Sequence, residues 1–219
     1  MSETENNTPV TPTASPEVSS TIGLKNFCLA ELVKDTEAEL EYGTVQLVAG
    51  AIDASVTPSS ADPEIQYYDD NEGDVVMPDP ETSFKIKLAD LPLAIRQKLD
   101  GSVFDNNGVL INKAGDKTPY YAAGFKALKA NGKYRYVWLY KCRVKPVTDS
   151  YQTKEGTTIT RQSTEVEFTA VKRAHDDQWR ATADEGVQGF TAQKGAAFLN
   201  SVYAADFTED DDDEDGQGT

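Results

Sequence analysis

"PYYAAGFKALKANGKYRYVWLYKCRVKP", residues 119–146, decides how the chain folds, because two runs of alternating side chains flank Asn131-Gly132. An Asn-Gly pair between alternating runs is a strong short-range hairpin signal, since both residues tolerate positive φ. A two-residue turn sets Tyr136 opposite Ala127, Trp138 opposite Phe125, Tyr140 opposite Ala123 and Cys142 opposite Tyr121. Large then faces small, or aromatic faces aromatic, so Phe125, Tyr136, Trp138 and Tyr140 are expected in a core. The other face carries Lys133, Arg135, Lys141, Arg143 and Lys145 around Val137 and Leu139.

That alternation separates the aromatics from the cations. A groove for single-stranded nucleic acid needs both on one exposed surface. The formal net charge of -16 argues the same way, because a nucleic-acid or anionic-membrane binder needs a broad positive field.

The charge is unevenly distributed. Residues 22–81 hold two basic and fourteen acidic side chains, net -12, whereas residues 82–145 hold thirteen basic and four acidic, net +9. Folding within one chain satisfies this asymmetry, and so does a head-to-tail contact between copies. In the second case Arg135, Lys141 and Arg143 are candidate interface residues. A second candidate is "TPSSADPEIQYYDDNEGDVVMPDPE", residues 57–81, acidic and Pro-flanked, yet carrying Ile65, Tyr67, Tyr68, Val75, Val76 and Met77. A long projecting loop or extended hairpin of this kind suits docking on a neighbour; the alternative is a hairpin folded on its own domain. Its tip "DDNEGD" lacks the ordered ligands and closing Glu of a calcium loop.

Outward from these segments, β signals dominate. Residues 22–32 and 44–56 are rich in branched side chains, and "TSFKIKL" alternates Phe84, Ile86 and Leu88 with polar residues. "ADLPLAIRQKLDG" switches to helical spacing, with Asp90 as N-cap, Leu91, Ile95 and Leu99 on one stripe and Gly101 as the stop. "VFDNNGVLI" reads as a hairpin turning at Asn107-Gly108, and "STEVEFTAVKRAHDDQWRATA" as another turning at "AHDD". A C-terminal helix is expected over 192–203, with Ala196, Leu199, Val202 and Tyr203 on its face. Residues 1–21 have the composition of a flexible N-terminal arm, 22–208 of one domain, and 209–219 of an acidic tail opened by seven consecutive acids.

Catalytic material is sparse. The single histidine, His175, falls in a predicted turn beside Asp176 and Asp177, which leaves no set for a triad or a multi-imidazole metal site. No phosphate-binding loop or nucleophile-elbow motif occurs. Cys28 and Cys142 fit no disulfide framework or zinc spacing and read as small buried hydrophobes. No cofactor is implied. The N-terminus lacks a basic and apolar secretory leader, and no apolar run spans a bilayer, so the expected site of synthesis and residence is a cytosol. An acid-pair hydrolase built on Asp176 and Asp177, and a monomeric or small-oligomer β-sandwich binding or decoration module, are the alternatives from other classes.

Taken in order, "IGLKNFCLAEL", "LVAGAIDASVTP", "KIKLADLPLAIRQKLDG", "DNNGVL", "YYAAGFKALKANGKYRYVWLYKCRV" and "VEFTAVKR" followed by "WRATADE" resemble the major tail protein, or tail tube protein, family of long-tailed bacteriophages. The likeness covers most of residues 22–203 and leaves both termini outside it. It implies a mainly β, sandwich or barrel-like tail tube fold with a short flanking helix, and a structural protein rather than an enzyme. It further implies homohexameric rings stacked into the tube through which DNA is ejected into the host. Expected partners are other copies of itself and tail proteins such as the tape measure, tail terminator and distal tail protein. DNA is expected to slide through without specific binding, which suits an acidic conduit. The expected location is the virion tail, after assembly in the host cytoplasm.

Overall fold

The computed structural model describes residues 18–58, 81–149, 151–153 and 162–206, and for 64–68 and 71–76 the backbone path. Met77, the acidic run 209–215 and residues 1–17 lie outside the described residues. In chain order the strands are β1 (Thr21–Asp35), β2 (Leu40–Tyr42), β3 (Gln46–Leu47), β4 (Ala51–Pro58), β5 (Glu64–Tyr68), β6 (Asn71–Val76), β7 (Thr82–Leu88), β8 (Val103–Phe104), β9 (Leu110–Ile111), β10 (Tyr120–Lys129), β11 (Tyr134–Val144), β12 (Thr164–Val171) and β13 (Arg180–Asp184). Helix α1 (Leu93–Asp100) follows β7, and α2 (Ala192–Phe198) follows β13. The fold is mainly β, as expected.

The main sheet runs β2-β1-β10-β11-β12-β7-β4, with β3 added to β1 and β13 to β11. It curls over on itself: Phe84 of β7 stacks on Phe125 of β10 at 5.8 Å and meets Phe27 of β1 at 6.1 Å, although other strands separate them in the sheet. Inside the curl, Phe84 and Ile86 face Phe168 and Val166 across the β7–β12 ladder. Ile95 and Leu99 of α1, with Leu91 just before it, pack on the same core. Strict alternation along β7 and β12 puts every second side chain there, each contributing about 1.5–3 kcal/mol when large and fully buried.

Strands β10 and β11 are buried on both faces, and the two-residue turn in the sequence reading misplaced their register. The chain turns through Ala130, Asn131 and Gly132, with Lys129 N–H donating to Lys133 O at 2.9 Å and Gly132 at φ 81°. That is a three-residue loop with its third residue left-handed, the next most common hairpin geometry. Trp138 therefore opposes Gly124, and Phe125 opposes Val137. Further on, Tyr140 and Lys141 together face only Ala122, a bulge that restores the expected pairing of Tyr121 with Cys142. Phe125, Val137 and Leu139 thus line the inner core, while Tyr136, Trp138 and Tyr140 lie on the opposite face under α2. Phe125 does not pack on Trp138, and the supposed basic face has a buried centre: Val137 is 3% exposed and Leu139 0%.

Other expectations need correction. Residues 44–56 are two strands, because Gly50 at φ 86° turns the chain from β3, on β1, to β4, on β7. Strands β12 and β13 do not pair as a hairpin; both run antiparallel to β11, end to end, and residues 172–179 make a loop between them. Pro92, not Asp90, caps α1, its carbonyl accepting from Ile95 and Arg96 N–H. Gly101 closes the helix at φ 70° as expected. Helix α2 stops at Phe198, and its buried positions are Gly195 and Phe198, whereas Ala196 is exposed. A Cβ at Gly195 would lie 2.6 Å from the Tyr136 hydroxyl, so the glycine is what lets the helix approach this closely.

Candidate subunit interface

Much of the basic character of β10 and β11 is already matched within the chain. Lys129 and Arg135 both donate to Asp184 of β13, at 2.9 Å and 2.8 Å. Burial pushes the Asp184 carboxyl up, but Lys129, the Gly186 N–H and Arg135 pull it down to about 2. Lys141 Nζ lies 2.6 Å from Asp35, which also accepts from the Ala174 and His175 N–H groups. Burial opposes the Asp35 charge, yet those donors hold its carboxyl below the ordinary range. Lys145 donates to Glu167 at 2.5 Å. Arg143 differs: it donates to the Thr118 carbonyl and lies over the Tyr120 ring at 4.9 Å, with its residue exposed and no carboxylate partner among the described residues. Of the expected trio, two are thus bound to carboxylates of their own chain.

The loop holding the only histidine is a structural clasp. Arg173, 1% exposed, lies 3.8 Å from the Tyr140 ring centroid and binds both Asp176 oxygens at 2.9 Å and 2.5 Å. It also reaches the Tyr42 hydroxyl at 3.4 Å and the Gln178 carbonyl side-chain oxygen at 3.1 Å. His175 Nδ1 lies 3.2 Å from the carbonyl oxygens of Thr36 and Glu37, and Asp177 pairs with Lys172. Asp176 is thus committed to a buried arginine, which suits packing of the loop rather than acid–base chemistry.

Within residues 57–81, β5 and β6 form a two-stranded sheet apart from the main one, with Ile65 opposite Val75, Tyr67 opposite Glu72 and Tyr68 opposite Asn71. A lone pair of strands has little independent stability in water, so a surface that covers it is expected to matter.

Two further surfaces escaped the sequence reading. The hairpin β8–β9 is also a separate two-stranded sheet, and Val103, Val109 and Ile111 on it are 49%, 52% and 42% exposed. Its strands are too short for alternation to announce an exposed apolar face. Between β1, β4, β10 and β11 opens a cavity of about 500 Å³, lined by Ile22, Ile52, Val56 and Phe125 with Arg135 and Arg180 among its polar groups. It arises from sheet curvature, which no local pattern encodes. Among the described residues no helix is long and apolar enough to cross a membrane.

The family model described as phage tail tube protein matches residues 42–205 of the chain. No curated protein matches it.

Proposed function

The chain belongs to the phage tail tube protein family, and from that premise we propose that it polymerises as stacked hexameric rings into the conduit for DNA ejection into the host. Its role is structural and its place is the virion tail, as the family implies. The observation that carries the proposal beyond the family is the separate β5–β6 sheet. It gives the chain an arm, acidic and rich in Tyr and Val, for reaching a neighbouring copy. Ile65, Tyr67, Tyr68, Val75, Val76 and Met77 are the arm's apolar contacts in this reading. Of the basic residues, Arg143 is the main interface candidate; Arg135 and Lys141 contribute only the charge left after Asp184 and Asp35. The net charge of -16 favours a lumen through which DNA slides without specific binding. Assembly takes place in the host cytoplasm, and the tape measure, tail terminator and distal tail protein are the partners.

Sedimentation and negative-stain microscopy of the purified chain over a wide concentration range test this. Six-fold rings or tubes are expected, with a salt dependence reflecting partly exposed charges. Replacing Tyr67, Tyr68, Val75 and Val76 with Ser should leave a folded monomer that forms no tubes. A folded wild-type chain that stays monomeric throughout, or forms only small closed oligomers, would overturn the proposal.

A further inference from the structure

We infer that the outward face of the β8–β9 hairpin, Val103, Val109 and Ile111 rimmed by Lys113 and Lys117, is the seat on which the β5–β6 arm of a second copy docks. The inference rests on the proposed self-assembly and names the surface that receives the arm.

The pairing of Val103 with Ile111 puts them on one face, and Val109, two residues before Ile111, shares it. Phe104, 36% exposed, and the half-buried Leu110 pair on the opposite face, the less exposed of the two. Single exposed apolar residues are ordinary, but three branched ones on one face of a free-standing hairpin make a patch suited to a partner. The hairpin is shaped in advance. The Asp105 carboxylate accepts from Asn107 N–H and Val109 N–H, each at 2.8 Å, so it fixes the turn and its charge is internally engaged.

Two cations follow the hairpin along the chain, with Asp116 between them accepting from the Lys113 N–H at 2.7 Å. Lys113 follows Ile111 by two residues. The Lys117 backbone lies against the end of α1, where a Cβ at Gly101 would come within 2.3 Å of Lys117 O, two residues before Val103. Both lysines are exposed, and neither ammonium has an ion-pair partner among the described residues. An occupant that is apolar and carries acids suits these side chains. Residues 57–81 carry eight acids and no base, with Ile65, Tyr67, Tyr68, Val75 and Val76 between them. Such complementarity fixes register and partner choice as well as attraction.

Three full-length variants test the seat. Val103→Ser with Val109→Ser and Ile111→Ser should melt like the wild type, since these side chains are already exposed, but should need at least ~10-fold more protein to assemble. Lys113→Glu with Lys117→Glu should impair assembly similarly, and adding Glu72→Lys and Asp74→Lys should restore much of it. In a third variant, Ile111→Cys with Tyr68→Cys, mild oxidation should give a ladder of covalent multimers on a non-reducing gel. A cross-link within single chains would assign the seat to the chain's own arm and overturn the inference. Wild-type assembly by the triple-Ser variant, while the arm variant fails, would remove the seat and leave the tube proposal standing. A wild-type chain with no self-association removes both.

Discussion

Trp138 packs its indole directly on Gly124, its opposite number across the β10–β11 ladder: a Cβ at 124 would come within 2.7 Å of the ring. The ring is 0% exposed, and its Nε1 donates to Phe198 O at 2.8 Å, which ties β11 to the C-terminal helix. Gly124→Ala should therefore cost about 1–3 kcal/mol by overpacking, and Trp138→Ala about 3–5 kcal/mol by leaving a cavity. Combined, they should be clearly less than additive, because removing the indole vacates the space the methyl needs. Urea denaturation of the three variants checks this, and strict additivity would show that the two residues do not share a contact.

The relationship was half legible in the sequence. Alternation placed Trp138 and Tyr136 in a core and identified the hairpin, because side-chain period and turn chemistry are local properties. What fixed the partner across the ladder was whether two or three residues made the turn, and "ANGK" suits both geometries. A slip of one residue moves the β10 side chains to the other face relative to β11, which is why Val137 and Leu139, opposite Phe125 and Ala123 in the fold, read as a stripe facing Lys126 and Gly124. The bulge at Tyr140 and Lys141 coincides with the change of neighbour from β13 to β12, a tertiary event with no local signal. For residues 57–81, the sequence marked either a docking loop or a hairpin folded on its own domain, and the β5–β6 pairing in a sheet of its own is common to both. It did not show that Arg135 and Lys141 were already paired, since Asp184 and Asp35 lie far away along the chain.

That pairing makes Lys141 and Arg143 unequal. Asp35 has a side chain only 7% exposed, so Lys141→Glu would press two carboxylates together in a partly buried site. A loss of about 3–5 kcal/mol is expected, as for other broken buried pairs. Arg143→Glu, on an exposed side chain held by a carbonyl and a ring, should cost less than about 1 kcal/mol. Only the Arg143 substitution is therefore a clean probe of assembly. Equal melting temperatures for the two variants would show that Asp35 does not depend on Lys141.

Asp184 gives the fold an acid limit. Its carboxyl is lowered from an ordinary value of 3.8 to about 2, so the folded state holds the charged form more firmly than the unfolded chain does. The resulting stability, on the order of 2 kcal/mol, is complete above pH about 4 and disappears as pH falls toward 2. Asp184→Asn should lower stability at pH 7 and flatten its dependence between pH 5 and 2, in about that range of values. Denaturant midpoints measured across the range check both. An Asn variant as acid-sensitive as the wild type would assign the titration to another group.

The aromatic face of β11 makes the C-terminal helix a structural requirement, whereas the acids beyond it should be expendable. Phe190 and Phe198 meet Tyr136 at 5.7 Å and 5.6 Å, and Phe198 also stacks on Tyr203 at 5.0 Å. A chain ending at Gly189 loses this cover and leaves Tyr136, Trp138 and Tyr140 facing water. At about 1.5–3 kcal/mol for each large side chain uncovered, the loss is a substantial part of the ~5–15 kcal/mol that holds a domain together. The expected result is a fall in melting temperature of more than about 10 °C, with new binding of a hydrophobic dye. Gly195→Ala should fall between that truncation and the wild type, since its methyl would meet the Tyr136 ring and push the helix outward. A chain ending at Thr208 removes the seven acids from Glu209 to Asp215 and the polar residues 216–219 after them. It should melt within about 2 °C of the full chain, because a row of acids has no packed surface to contribute. A shift of several degrees in that shorter truncation would mean the acids dock on the domain, with the cations of β10 and β11 as the first place to look.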